Sequence, residues 1–113
     1  GIKALAHITG GGLIENIPRV LPAGTKAVLD AARWTLPPVF KWLAKTGRVP
    51  PDEMVRTFNC GLGMVAVVAS GNAAAVRNAL VQAGETVFEV GRIEASSGKA
   101  TSDVRGIADA WRA

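Results

Sequence analysis

Thirteen residues, His7 to Arg19, gather most of the groups in this chain that can do chemistry. The hydroxyl of Thr9 is followed by Gly10, Gly11 and Gly12. Without Cβ atoms such a backbone can approach a ligand closely, and successive N–H groups can converge on an oxyanion where a strand hands over to a helix. Arg19 offers a forked cation suited to phosphate. His7, two residues before the glycines, is placed to act as an acid, base or hydrogen-bond donor. The expectation is an oxyanion-binding loop, with His7 as the catalytic candidate and Thr9, Gly10, Gly11, Gly12, Asn16 and Arg19 as substrate contacts. The competing reading is purely structural: a tight strand-to-helix turn that needs positive φ.

Other chemistries find little support. One cysteine and one histidine exclude an internal disulfide framework and a Cys/His zinc site. Cys60 has no activating base beside it in sequence and reads as an inert thiol. No paired carboxylates have a spacing that suggests metal or glycoside chemistry, and no metal site is expected. Neither a dinucleotide fingerprint nor a phosphate loop of the Walker type is present. Trp34, Trp42 and Trp111 do not interleave with a basic cluster, so they read as core or interface packing.

One small domain must position these groups. The 113 residues are 49% hydrophobic and 19% charged, enough apolar side chain for a single core. The longest apolar run, 64–69, suits a buried strand and is too short to cross a bilayer. Residues 1–50 hold seven Lys/Arg against two acids, and the remainder six against seven. A basic first half suits an anionic partner: phosphate ester, nucleotide or nucleic acid. The absence of a dense basic stripe or recognition motif argues against nucleic acid. The chain opens in mid-strand, with no initiator methionine and no signal-peptide pattern, so it is expected to be a piece of a longer protein.

Glycine and proline punctuate the elements. A first strand leads to a short helix over 13–17 that Pro18 limits, then a strand inside 25–34. Pro37-Pro38 and Pro50-Pro51 open two helices, the first ended by Gly47 in a left-handed conformation. The strand 64–69 follows, then a helix 73–83 capped by Asn72 and ended by Gly84. A last strand spans 86–94, with a bulge near Gly91. The order β-α-β-α-α-β-α-β predicts an α+β fold, a mixed sheet covered by helices. The expected single domain has its ordered core over about 1–94 and a tail over 95–113, helical at most over 103–111.

The block Ala6-His7-Ile8-Thr9-Gly10-Gly11-Gly12-Leu13-Ile14-Glu15-Asn16-Ile17-Pro18-Arg19-Val20-Leu21-Pro22 resembles the start of the C-terminal domain of the aminoimidazole ribonucleotide synthetase family, the phosphoribosylformylglycinamidine cyclo-ligases. Residues 53–64 and 87–93 are similar to that family in the same order, so the resemblance covers about 3–94. It implies a ligase of de novo purine biosynthesis that uses ATP and Mg²⁺ to phosphorylate the formyl amide oxygen of formylglycinamidine ribonucleotide. The amidine nitrogen then closes the imidazole ring of aminoimidazole ribonucleotide, releasing ADP and phosphate. An amide oxygen leaves poorly and a phosphate well, so the protein's share is positioning and charge stabilisation.

The resemblance further implies a cytoplasmic homodimer. In it the chain's own N-terminal ATP-binding domain, absent here, holds the nucleotide and metal, and the phosphorylated ribonucleotide lies between the domains. This chain alone is then expected to hold no cofactor and to be inactive, and it needs neither nucleic acid nor membrane. Two readings remain beside it: a domain of a formylglycinamidine ribonucleotide synthase of the same superfamily, and a non-catalytic basic anion-binding module.

Overall fold

The computed structural model describes residues 2–111. In chain order the elements are β1 (Ile2–His7), α1 (Gly12–Asn16), β2 (Thr25–Asp30), α2 (Pro38–Thr46), α3 (Pro51–Thr57), β3 (Met64–Val68), α4 (Ala73–Gln82), β4 (Gly91–Ala95), β5 (Thr101–Arg105) and α5 (Ile107–Ala110). Single 3-10 turns at Pro18–Val20, Ala31–Arg33 and Ser70–Asn72 join some of them. The fold is α+β, with a mixed sheet and helices.

Strand β2 is the middle of a three-stranded sheet, and its consecutive Ala27, Val28 and Leu29 are all buried. A strand covered on both faces has no solvent side, so its apolar residues need not alternate. On one edge β4 pairs antiparallel, with Leu29 opposite Gly91. On the other β5 pairs parallel, with Asp30 opposite Arg105. The link between β4 and β5 crosses the start of β2, where Gly24 donates to the Gly98 carbonyl at 2.8 Å and accepts from the Ser96 amide at 2.9 Å.

A second sheet holds β1 and β3, antiparallel, with Ala6 opposite Val65 and His7 opposite Met64. Ala6 faces the core, while Leu5 and Met64, on the other face, are 51% and 57% exposed. The expectation of a buried strand over 64–69 is therefore corrected: β3 ends at Val68 and none of its residues is fully buried, because only one face of the ladder is covered. The expected bulge is also displaced. The register irregularity falls in β1 between Ile2 and Ala4, whereas Gly91 simply opens β4.

Local signals place the helix entrances better than the exits. Pro38 and Pro51 occupy first-turn positions of α2 and α3, where a missing N–H costs nothing. Gly47 ends α2 at φ −84°, and the left-handed residue is instead Arg48 at φ 51°. Asn72 makes no side-chain capping bond to α4, and α4 has no fully buried residue. Leu13 and Ile17, from and just after α1, are at most 1% exposed and pack with Met54 of α3.

The expected tail contributes to the core, its residues 112 and 113 lying outside the described residues. Residues 101–105 form β5, and Val104 and Ile107 are each 8% exposed. The Ser102 hydroxyl lies 2.8 Å from the Leu13 carbonyl and 3.0 Å from that of Ile14, tying β5 to α1. Small polar residues in a strand beside a buried partner gave no periodic signal, so the local pattern read as loose chain. Ile107→Ala should cost about 2–4 kcal/mol in urea unfolding, the usual range for a buried isoleucine. A change below about 0.5 kcal/mol, typical of an exposed position, would return 95–113 to the status of a tail.

Candidate functional site

The polypeptide between β1 and α1 folds around one side chain. Asn16, 5% exposed at the end of α1, aims its amide nitrogen at three backbone carbonyls: Thr9 at 3.0 Å, Gly10 at 3.2 Å and Gly12 at 2.9 Å. Its Oδ1 accepts from the Arg19 guanidinium at 3.1 Å and, more loosely, from the Thr9 hydroxyl at 3.4 Å. Both halves of the amide are spent inside the protein, as a buried polar group requires. Asn16, expected as a substrate contact, has no capacity left for one.

That clasp sets the direction of the neighbouring amides. Among the described residues no peptide is cis, so each N–H points opposite to the carbonyl of the same peptide unit. The Thr9 and Gly10 carbonyls turn towards Asn16, and the Gly10 and Gly11 N–H groups therefore point away from it. Gly10 is exposed and Gly11 half-buried. The Gly12 amide differs: it donates to the Thr9 carbonyl at 2.9 Å. Two of the three expected glycine amides face away from the clasp.

The glycines also differ in why they are glycine. A Cβ on Gly12 would stand 2.2 Å from the Val55 carbonyl oxygen and 2.7 Å from that of Phe58, since the end of α3 lies directly on it. Gly12, expected as a substrate contact, is closely packed against backbone. Gly11, at φ 98°, holds a conformation that side chains avoid. Gly10 has neither constraint: its φ is outside that region and a Cβ would meet nothing within 4 Å. The fold alone does not require glycine there.

Arg19 is exposed and bound through a neutral amide rather than a carboxylate, with no ion pair to it among the described residues. One end of the guanidinium is held by that bond. His7 ends β1, exposed and without a hydrogen-bond partner among the described residues.

The loop rests on a second turn that sequence reasoning did not connect to it. The Gly63 carbonyl accepts the Ile8 amide at 2.9 Å, joining the end of β1 to the turn before β3. In that turn Cys60 adopts φ 53°, and its carbonyl accepts the Trp34 indole N–H at 3.0 Å. Trp34 stacks edge-on against Trp111, ring centroids 5.4 Å apart. The Cys60 thiol is buried against the Met54 carbonyl, and desolvation pushes its pKa up from 9.0 to about 12. The contacts from Trp34, Gly63 and Ser102 had no local signal, because each spans dozens of residues.

Two surface clefts lie elsewhere, one lined by Asp52, Gly106 and Asp109 and the other by Trp34, Lys41 and Ala110; neither includes a glycine-loop residue. Among the described residues no three His, Cys, Asp or Glu side chains are grouped to hold a metal ion. Among the same residues no helix is long and apolar enough to cross a membrane.

Comparison with known proteins shows the family of the chain. Residues 1–103 match the family described as AIR synthase related protein, C-terminal domain. The chain is 55% identical over 97 residues to the phosphoribosylformylglycinamidine cyclo-ligase of Neisseria meningitidis serogroup C, and 56% identical over the same length to that of Neisseria gonorrhoeae. In each case 86% of this chain is covered, but it spans only 28% of the length of the curated relatives it matches. The chain belongs to the AIR synthase related family and matches its C-terminal domain.

The geometry sets expectations at Gly12, Gly10 and Cys60. Gly12→Ala should destabilise by about 3 kcal/mol or more, because backbone rather than a movable side chain blocks the methyl. Gly10→Ala should leave thermal stability unchanged or raise it slightly, by up to about 1 kcal/mol. The Cys60 thiol should resist iodoacetamide at pH 8 until the chain is unfolded. Its folded pKa lies above its unfolded value, so above about pH 9 the unfolded thiol ionises first and stability should fall as pH rises towards 12.

Proposed function

We propose that this chain is the substrate-side domain of an ATP-dependent cyclo-ligase that converts formylglycinamidine ribonucleotide to aminoimidazole ribonucleotide in purine biosynthesis. Support comes from the family match and from relatives that carry the name phosphoribosylformylglycinamidine cyclo-ligase. The full-length protein, working in the cytoplasm, supplies an N-terminal ATP-binding domain and the dimer; the 113-residue chain alone is inactive. ATP's contribution is to turn the formyl oxygen into a leaving group, and no step assigned to this chain runs through nucleotide or metal.

Within that reaction the chain holds an anion. The Gly10 and Gly11 amides and the Arg19 guanidinium bind phosphate oxygens of the ribonucleotide, with Thr9 at the loop's entry. Charge-assisted bonds of this kind are stronger than neutral ones and fix geometry as well as affinity. His7 ends β1 just before the loop, and its imidazole is assigned the proton that the amidine nitrogen loses as the ring closes.

The observation that carries the proposal is Gly10, a glycine that neither space nor φ demands, on a loop whose amide aims outward. The test uses a full-length chimera, the Neisseria gonorrhoeae enzyme with its matching 97 residues taken from this chain. Gly10→Ala and Arg19→Gln should each lower kcat/KM by roughly 10- to 100-fold, the range for one or two lost polar contacts. Melting temperature should move little. Wild-type kinetics in both variants, or an unsubstituted chimera that folds but does not close the ring, would refute the assignment.

A further inference from the structure

We infer that Asn16 is a positioning residue for substrate binding, acting through Arg19 and the glycine amides without touching the ligand. The inference rests on the cyclo-ligase reading above and deepens it. Asn16 combines features that structure alone does not demand together. A buried side-chain amide needs only enough partners to offset desolvation. Here the nitrogen spans three carbonyls of the loop, while the oxygen reaches out to an exposed guanidinium.

The two ends do different work. On the nitrogen side, holding the Thr9 and Gly10 carbonyls inward forces the Gly10 and Gly11 N–H groups outward. On the oxygen side, a neutral acceptor restrains Arg19 without cancelling its charge. A carboxylate at position 16 would neutralise that guanidinium and repel the three carbonyls. An alanine would free both the loop and the arginine. Arginine carries a large rotamer entropy, so an arginine already restrained loses less freedom when an anion arrives. From a buried position the side chain of Asn16 thus holds the peptide units of two amides and one end of a cation.

Anchoring of this kind is felt equally in ground and transition states, so its loss raises KM and spares kcat. The experiment uses the full-length chimera and formylglycinamidine ribonucleotide. Asn16→Ala should raise KM roughly 10- to 100-fold, with kcat changed by no more than a few-fold. Arg19→Gln should raise KM as well, and the double variant Asn16→Ala/Arg19→Gln should be clearly less impaired than the product of the single effects, since the two act along one path.

Should Asn16→Ala not fold, Asn16→Ser, small enough for the site and keeping one hydroxyl, is measured in its place. A purely structural Asn16 would show a lowered melting temperature, normal KM in the folded enzyme and multiplicative effects with Arg19→Gln. That result would overturn the inference while leaving the function standing. If Arg19→Gln and Gly10→Ala leave KM unchanged, the anion-binding reading itself fails, and Asn16 has nothing to position.

Discussion

A single buried amide governs the strand-to-helix junction of this domain. The backbone between β1 and α1 leaves the strand ladder, so its carbonyls need partners outside one. Asn16 answers three of them at once and returns to the same loop through Thr9. The turn of two amides away from Asn16 and the position of Arg19 follow from that constraint. The wider fold serves it. α3 presses on Gly12, the Gly63 carbonyl fixes the end of β1, and Ser102 of β5 holds the carbonyls at the start of α1.

This dependence explains why two segments far apart in sequence carry one structure. The stretch from His7 to Arg19 makes the loop, and the stretch from Val55 to Gly63 makes its floor. Cys60, in a left-handed conformation and with its thiol buried, lets that floor turn tightly, and Trp34 clamps the turn by its indole N–H. A reactive thiol would need exposure and a cationic neighbour; burial against Met54 gives the opposite.

Much of this was legible from residue types and spacing, and the exceptions share a cause. Pro38 and Pro51 marked helix entrances because a proline's missing donor matters only to its own turn. The loop itself was visible in three consecutive glycines. What the sequence did not separate was their separate reasons: Gly12 answers to the carbonyls of Val55 and Phe58, more than forty residues away, and Gly10 to nothing within the fold. Asn16 looked like a ligand because a polar residue beside glycines usually faces outward; its burial depends on Leu13 and Ile17 packing on either side of it in sequence. β5 escaped because its pairing with β2 crosses seventy residues, and β3 read as fully buried because an apolar run does not say how many of its faces are covered.

The central claim is that Asn16 turns the Gly10 and Gly11 amides towards an anion. The most direct measurement is a crystal structure of the full-length chimera with formylglycinamidine ribonucleotide bound. The account predicts a phosphate oxygen about 2.7–3.2 Å from both amide nitrogens, with the Arg19 guanidinium on the same group and Asn16 still bonded to its three carbonyls. A phosphate seated elsewhere, with the Gly10 and Gly11 amides facing only solvent or protein, would contradict it.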